Sequence, residues 1–387
     1  MFILEKPYVS DILAESLSKN QYPTLKNDTA LALSQAGINL LSDAEFVAEY
    51  KKNPAQPVYS NSENAISWID EHLDFSPLPK AIRLFKDKAE FRRKLSAANP
   101  DFFFQEVLFE NLDTIDPSEL PLPCVLKPAV GFFSLGVHMI ESVEGWHKAV
   151  QTVQNDVEKI QKMYPAKVLE VDRFIIEQCI EGEEFAVDAY YDKDGEPVIL
   201  NILGHIFASS EDVSDRVYYT SVDVIQKYRE KFIEALKAAG KGSGLKNFPL
   251  HAEIRVDKDG NLGFIEVNPM RFAGWCVTDL AYYAYGINNY EAFMSGSHPD
   301  WDKIYEEHKN KVYAMILGEI DGSVDFTKIR DVDYDSFKSL FKKPLALRRI
   351  DYNKHPVFAF MFAEYTKDEM SELKKITTVD FNKYLIV

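Results

Sequence analysis

The chain has 387 residues, of which 46% are hydrophobic and 13% aromatic, so it is long enough for two or three subdomains and is not a disordered protein. Its formal net charge of −17 argues against nonspecific nucleic-acid binding, which depends on basic patches that face phosphates. Three widely spaced cysteines, no apolar run long enough to cross a bilayer and an apolar start interrupted by Glu5 predict a cytoplasmic protein without a membrane partner.

The first 85 residues alternate short apolar runs with helical stretches, which is typical of a small α/β unit. The apolar runs, at residues 2–4, 37–41 and 57–59, predict strands. The helical stretches cover residues 9–19, 43–51 and 61–73. Residues 76–80 contain two prolines and predict a linker, so we expect an N-terminal α/β domain over residues 1–85.

The rest of the chain predicts mixed helices and strands. A helix over residues 87–95 precedes strands at 124–127 and 137–140, and Trp146, Val150 and Val153 mark one apolar face of a helix over 143–163. Further strands follow at 174–180, 184–191 and 197–203, with a helix over 223–239. We therefore predict an α/β and α+β protein with a central domain over 86–305, divided into lobes of about 121–180 and 181–305, and an α+β subdomain over 306–387.

Two carboxylates are predicted to oppose each other in a hairpin. The dipeptide at 259–260, Asp-Gly, is a strong signal for a two-residue turn, and that turn pairs Glu253 with Glu266. Like charges directly opposite each other destabilise a sheet. The pair is explained if a hard cation such as Mg²⁺ lies between these carboxylates and the amide oxygen of Asn268. The alternative is a solvated outer face.

The same register assigns the neighbouring side chains to faces. It pairs His251 with Asn268 and places Phe264 on the carboxylate face and Ile265 on the other. His251 is a candidate substrate contact, with a structural histidine as the alternative. Arg271 lies just past this face and is a candidate for binding an anionic substrate or charge that develops on a transferred phosphoryl group, unless it only pairs with the acidic cluster.

Three other segments carry candidate ligand contacts. Lys127 ends an apolar strand before a glycine-bearing loop over 131–136, an arrangement suited to phosphate, although an ordinary hairpin with a surface lysine has the same pattern. The crossover at 177–184 offers groups for an adenine edge and the Glu184 carboxylate for ribose hydroxyls, or is an acidic surface loop. Arg216 is a candidate for substrate carboxylate recognition, or an exposed loop arginine.

Taken in order from about residue 88 to 274, these motifs resemble the ATP-grasp superfamily. The resemblance implies two α+β lobes that clasp ATP, preceded by a small Rossmann-like N-terminal domain. It implies phosphate contacts by Lys88 and Lys127, a covering loop with Gly131, Ser134 and Gly136, adenine contacts at Glu177, Gln178 and Ile180, a ribose contact at Glu184, metal ligands Glu253, Glu266 and Asn268, and catalytic roles for Arg271 and Lys127. Two departures are the bulky Phe132 and Phe133 in the covering loop and the extra Met270 before Arg271.

The resemblance also implies an activity. It indicates an ATP-dependent carboxylate–amine ligase, acting on small-molecule substrates with Mg²⁺ or Mn²⁺ through an acyl phosphate, and releasing ADP and phosphate. The resemblance also implies a homodimer, which is common in this family. The alternatives are a carboxylase-like enzyme that uses bicarbonate, and an ATP-binding regulatory protein without catalysis, which the bulky covering loop favours.

Overall fold

In the computed structural model, which describes residues 1–97, 99–130, 137–163, 172–208 and 216–387, the N-terminal part of the chain forms a four-stranded parallel sheet with helical crossovers. The strands are β1 (Phe2–Ile3), β2 (Thr24–Leu25), β3 (Leu40–Leu41) and β4 (Tyr59–Ser60), in the order β3-β2-β1-β4. The helices are α1 (Asp11–Asn20), α2 (Asp28–Ala32), α3 (Asp43–Lys52), α4 (Ile66–His72) and α5 (Leu78–Lys86). Parallel strands need such crossovers, and the predicted α/β character of this region is confirmed.

The predicted linker at 76–80 is wrong, because α5 begins inside it at Leu78. Pro79 lies in the first turn, where a proline lacks only an N–H that no carbonyl of the helix could accept. The helix is amphipathic and buries Ile82 and Phe85 in the main core. The segment thus joins the N-terminal sheet to the rest of the chain through a packed helix.

A second, antiparallel sheet follows and is covered by one long helix. Its elements are α6 (Lys88–Leu95), β5 (Phe104–Leu108), β6 (Cys124–Pro128), β7 (His138–Ile140), α7 (Val143–Met163) and β8 (Arg173–Gln178), with the strand order β5-β8-β6-β7. Trp146, Val150 and Val153 of α7 are buried with Leu126 and Phe174 of the sheet. The predicted helix over 143–163 is therefore confirmed, together with the apolar face that holds it in place.

The largest sheet has eight antiparallel strands in the order β13-β12-β9-β10-β11-β14-β17-β16. The strands of its first half are β9 (Glu183–Tyr191), β10 (Pro197–His205), β11 (Val217–Ser221), β12 (Phe248–Val256) and β13 (Leu262–Pro269). Helix α8 (Val222–Gly240) connects β11 to β12. The remaining elements are α9 (Leu280–Tyr285), α10 (Asn289–Ser295), α11 (Trp301–Glu307), β14 (Lys311–Glu319), β15 (Asp331–Val332), α12 (Tyr334–Ser339), β16 (Pro344–Arg349), β17 (Val357–Thr366), α13 (Met370–Ile376) and β18 (Leu385–Ile386).

This sheet crosses the predicted domain boundary at residue 305. Strand β17 pairs with both β14 and β16, and β14 pairs with β11 of the predicted large lobe. The division into domains stays a prediction, but the C-terminal segment shares a sheet with the lobe before it. Among the described residues, no helix combines the length and apolar composition needed to cross a membrane.

Gly182 connects the small sheet to the large one in a conformation that other residues rarely adopt. Its φ is +115°, and a Cβ atom would collide with the carbonyl group of Val256. We expect Gly182→Ala to destabilise the protein by about 1–3 kcal/mol, because either the crossover or β12 must shift. Urea unfolding measures this loss. Gly145→Ala in α7 is the matched control, where a Cβ meets only the Ser142 hydroxyl at 3.4 Å and stability should not fall.

Candidate functional site

The two predicted carboxylates do oppose each other on adjacent strands. Glu253 of β12 pairs with Glu266 of β13, and His251 pairs with Asn268, as the sequence predicts. The predicted two-residue turn is wrong, because the last pair is Val256 with Leu262 and residues 257–261 form the loop. A β-bulge that leaves Ile265 without a partner restores the predicted register beyond it. The two departures compensate each other.

The bulge changes which side chains face the core. Ile254 pairs with Phe264, and both belong to the main buried cluster, so the prediction that Phe264 shares the carboxylate face is wrong. Ile265 lies outside that cluster and is half-buried. The extra residue thus leaves an apolar side chain outside the core immediately before Glu266.

The environment of Glu266 favours its ionised form. Its Oε1 accepts a hydrogen bond from Asn268 Nδ2 at 3.0 Å, and its Oε2 lies 3.5 Å from Lys88 Nζ. Burial opposes ionisation, but the charge of Lys88 and the bond from Asn268 outweigh it and lower the pKa of Glu266 to about 2. Glu253 lies across the strand pair, with its Oε1 3.9 Å from His251 Nε2.

This donor set suits a hard cation. No group of three or more His, Cys, Asp or Glu side chains is placed for a metal within the described residues, and the predicted trio contains only two acids and one amide. Carboxylate and amide oxygens are nevertheless the ligands that Mg²⁺ prefers, and Mg²⁺ usually takes only one or two carboxylates from the protein, completing its shell with water and phosphate. Glu253, Glu266 and Asn268 therefore fit a nucleotide-associated Mg²⁺, although their role as ligands stays a prediction.

Lys88 reaches this face from the start of α6. The Asp87 side chain caps the helix by accepting from Glu90 N–H at 2.9 Å, and Lys88 N–H donates to the Ala129 carbonyl at 2.8 Å. The Lys88 side chain is only 14% exposed. The capped helix and the end of β6 together place its ammonium group beside Glu266.

Lys127 lies in a buried ionic cluster. It is 5% exposed and forms an ion pair with Glu177, whose other carboxylate oxygen accepts from Arg92 Nε at 2.8 Å. Burial raises the pKa of Glu177, but the two cations outweigh it and leave that pKa below its usual value. Burial lowers the pKa of Lys127, and the Glu177 carboxylate counteracts it. The Glu177 carboxylate is thus committed to anchoring Lys127, and its predicted adenine contact stays untested.

The crossover after β8 is held by backbone and arginine contacts. Gln178 Oε1 accepts from Phe103 N–H at 2.8 Å, which gives this side chain a structural role in addition to its predicted one. Arg255 donates to the Ile180 carbonyl at 2.9 Å, and its Nε and Nη2 reach Glu184 Oε2 at 3.1 and 2.9 Å. Arg255 therefore joins Ile180, one of the predicted adenine contacts, to Glu184, the predicted ribose contact.

Arg271 lies close to the carboxylates. Its Nη1 donates to the Phe272 carbonyl at 3.0 Å, its Nε lies 3.6 Å from Glu63 Oε1, and its charge contributes to the low pKa of Glu266. Glu63 also accepts from Lys86 Nζ at 2.5 Å, and it comes from the N-terminal region. Glu63 thus forms an ion pair with the predicted catalytic arginine, a contact between distant parts of the chain that no local motif signals.

A buried aspartate holds the side chain of His251 in place. Its Nδ1 lies 2.8 Å from Asp188 Oδ1, which also accepts from Ala273 N–H at 2.8 Å. Asp188 is fully buried and lies directly opposite His251 on β9. The aspartate therefore fixes both the imidazole and the segment after Arg271, which supports the structural alternative for His251 and leaves its Nε2 toward Glu253.

Arg216 is not gathered with these residues. Its guanidinium donates hydrogen bonds to Glu319 Oε2 at 3.2 Å and to the carbonyls of Thr377 and Val379 at 3.0 and 2.9 Å. It also lies over the Phe381 ring. All of these partners belong to the C-terminal part of the chain. The contacts favour a structural role over the predicted recognition of a substrate carboxylate.

Three other predicted residues lie outside the described part of the chain. These are Gly131, Ser134 and Gly136 of the predicted covering loop. Phe132 and Phe133, the two bulky residues of the same loop, also lie outside it.

Comparison with known proteins finds similarity to a known domain over part of the chain. Residues 120–279 match the ATP-grasp domain. The alanine–anticapsin ligase of Bacillus amyloliquefaciens is 29% identical over 183 residues, which cover 44% of this chain and 37% of that protein. The chain thus matches less than half the length of this curated relative.

Solved structures resemble the fold over nearly the whole chain. The L-amino acid ligase from Bacillus licheniformis superposes with a TM-score of 0.67 at 16% identity, covering 99% of this chain and 96% of its own. Biotin carboxylase from Campylobacter jejuni gives a TM-score of 0.64 at 14% identity, covering 100% and 91%. At these identities the likeness concerns the fold alone, and it confirms the predicted fold class.

Proposed function

From the premise that residues 120–279 form an ATP-grasp domain, we propose that this protein is an ATP-dependent carboxylate–amine ligase. Its substrates would be a small carboxylic acid and an amine, both of amino-acid type, joined through an acyl phosphate with release of ADP and phosphate. The alanine–anticapsin ligase and the L-amino acid ligase among the similar proteins support this choice of substrate class.

One observation carries the proposal: Glu253 and Glu266 oppose each other with the ammonium group of Lys88 3.5 Å from Glu266. A pair of facing carboxylates costs stability unless cations neutralise it. A site that combines ionised acids with lysines can hold Mg²⁺ and phosphate together, because the acids neutralise the Mg²⁺ ion and the lysines neutralise the phosphate. A purely structural surface has no need of this arrangement.

Each residue of the site has a definite task in this reaction. Lys88 and Lys127 bind phosphate oxygens of ATP, and Glu253, Glu266 and Asn268 would hold Mg²⁺, which supplies neutralisation of charge on the β- and γ-phosphates when bound. Arg271, which pairs with Glu63 at 3.6 Å, would stabilise negative charge on the acyl group during attack by the amine.

We expect the purified protein to release ADP and phosphate from ATP and MgCl₂ only when a pool of amino acids is present. The product should have the mass of the carboxylic acid plus that of the amine minus one water, because one carboxylate oxygen leaves with the phosphate as the amide forms. Coupled ADP detection and mass spectrometry measure both quantities.

The controls separate the competing readings. Release of AMP and pyrophosphate would contradict the acyl-phosphate route. ADP formation that depends on bicarbonate, without an amine, would indicate a carboxylase-like enzyme. Tight ATP binding without turnover in any pool would indicate a regulatory protein.

A further inference from the structure

Arg92 contacts three segments of the chain from one buried position on α6. Its Nε donates to Glu177 Oε2 at 2.8 Å, its Nη2 donates to the Phe264 carbonyl at 2.7 Å, and its guanidinium lies over the Phe102 ring at 4.9 Å. The residue is 4% exposed. Charge-assisted hydrogen bonds in such a buried setting are strong and fix geometry.

These contacts join the parts of the site that the proposed mechanism needs to act together. Glu177 on β8 holds the ammonium group of Lys127, and Phe264 on β13 lies two residues before Glu266. Lys88, which reaches Glu266, lies one turn before Arg92 on the same helix. One side chain thus connects both phosphate-binding lysines and the carboxylate strand.

We propose that Arg92 is a positioning residue for nucleotide binding, which acts by holding Glu177 and, through it, Lys127 in place. The inference rests on the proposed function, because Lys127 must contact the nucleotide. Without Arg92, Glu177 would keep one cation and lose its second anchor, so the carboxylate and Lys127 would move relative to β13. Lysine cannot replace arginine fully, since the planar guanidinium bonds Glu177 and the Phe264 carbonyl at the same time.

The test is a double-mutant cycle on ADP affinity, measured by calorimetry with ADP and MgCl₂ on the full chain. We expect Arg92→Met to weaken ADP binding on the order of ten- to a hundredfold, the range for groups that orient a ligand-binding side chain. The double variant Arg92→Met/Lys127→Met should bind no more weakly than Lys127→Met alone, because both changes disable the same group. If Arg92→Met only disturbed the structure, its loss of ADP affinity would instead multiply with the loss caused by Lys127→Met.

Arg93→Met is the matched control. Arg93 is the next residue of the helix, its side chain is 51% exposed, and it pairs with Glu106. The change removes the same charge without touching Glu177, so ADP affinity should stay within about twofold. A loss equal to that of Arg92→Met would overturn the inference.

Folding is checked by circular dichroism and thermal unfolding. If Arg92→Met does not fold, Arg92→Lys replaces it in the same cycle and should show a smaller loss that is again absent in the Lys127→Met background. Independent, multiplying effects or unchanged affinity overturn the positioning role alone. Wild-type protein that binds no ADP overturns the proposed function and this role with it.

Discussion

Glu266→Gln should remove nearly all ATP turnover while leaving the protein folded, and this is the largest effect on activity that we expect. The substitution keeps the shape of the side chain and removes the charge that faces Glu253 and Lys88. Groups that stabilise charge at the reacting centre are worth on the order of a hundred- to a thousandfold in rate, so we expect at least a hundredfold loss of kcat/KM. Steady-state ADP release measures it.

The stability of the same variant separates a functional role from a structural one. Lys88 and Asn268 outweigh burial and hold the pKa of Glu266 below its usual value, so its charge stabilises the folded state and its removal should lower the free energy of unfolding without unfolding the protein. Glu234→Gln is the control for the substitution, since Glu234 lies on α8 with its side chain 72% exposed. It should change neither activity nor stability. Full turnover by Glu266→Gln would show that the carboxylate does not bind metal.

The carboxylate pair could be predicted because strand pairing is a local matter. The hairpin follows from a short stretch of sequence, but the predicted pairing of Glu253 with Glu266 holds only because the longer loop and the bulge compensate each other. The bulge at Ile265 could not be predicted, since Phe264 and Ile265 are both apolar and either can face the core. The choice is made by tertiary packing, where Phe264 contacts Phe91 of α6 at a ring distance of 5.4 Å.

The arginines show where such reasoning ends. Arg92 meets Glu177, 85 positions away in the chain, and Arg216 meets Thr377, 161 positions away. The presence of an arginine in the sequence does not indicate which distant residue it will contact in the folded protein. The sequence therefore identifies the acids and lysines that follow local motifs, and it misses the side chains that hold them in place.

Arg348 and Asp279 form a buried ion pair far along the chain from these motifs. Arg348 Nη2 lies 2.6 Å from Asp279 Oδ2, and the two side chains are 6% and 1% exposed. Tyr290 donates to the other carboxylate oxygen at 2.8 Å, and the guanidinium lies over the Phe362 ring at 4.9 Å. The pair joins the strand β16 to the segment before α9.

Arg348→Met should cause the largest loss of stability among these changes, about 3–5 kcal/mol, because it leaves a buried carboxylate without its cation. Adding Asp279→Asn should recover part of this loss, since it removes the unpaired charge. Arg349→Met is the matched control: Arg349 is the next residue of β16, is exposed and only covers the Tyr334 ring. Denaturant unfolding of the three variants and wild type measures the differences. A double variant no more stable than Arg348→Met would contradict the charge argument.

The cost of Arg348→Met should also depend on pH, and the direction follows from the carboxylate. Burial raises the pKa of Asp279, and Arg348 is the largest influence that counteracts it. Without Arg348 the folded protein keeps a protonated Asp279 at pH values where the unfolded chain has released that proton. When the pKa of an acid is higher in the folded than in the unfolded protein, its stabilising contribution is complete below the pKa of the unfolded state, near 3.8 for Asp279. That contribution is lost as the pH rises toward the pKa of the folded state. The variant should therefore be closer to wild type at pH 5 than at pH 8, whereas a loss of packing alone would be equal at both.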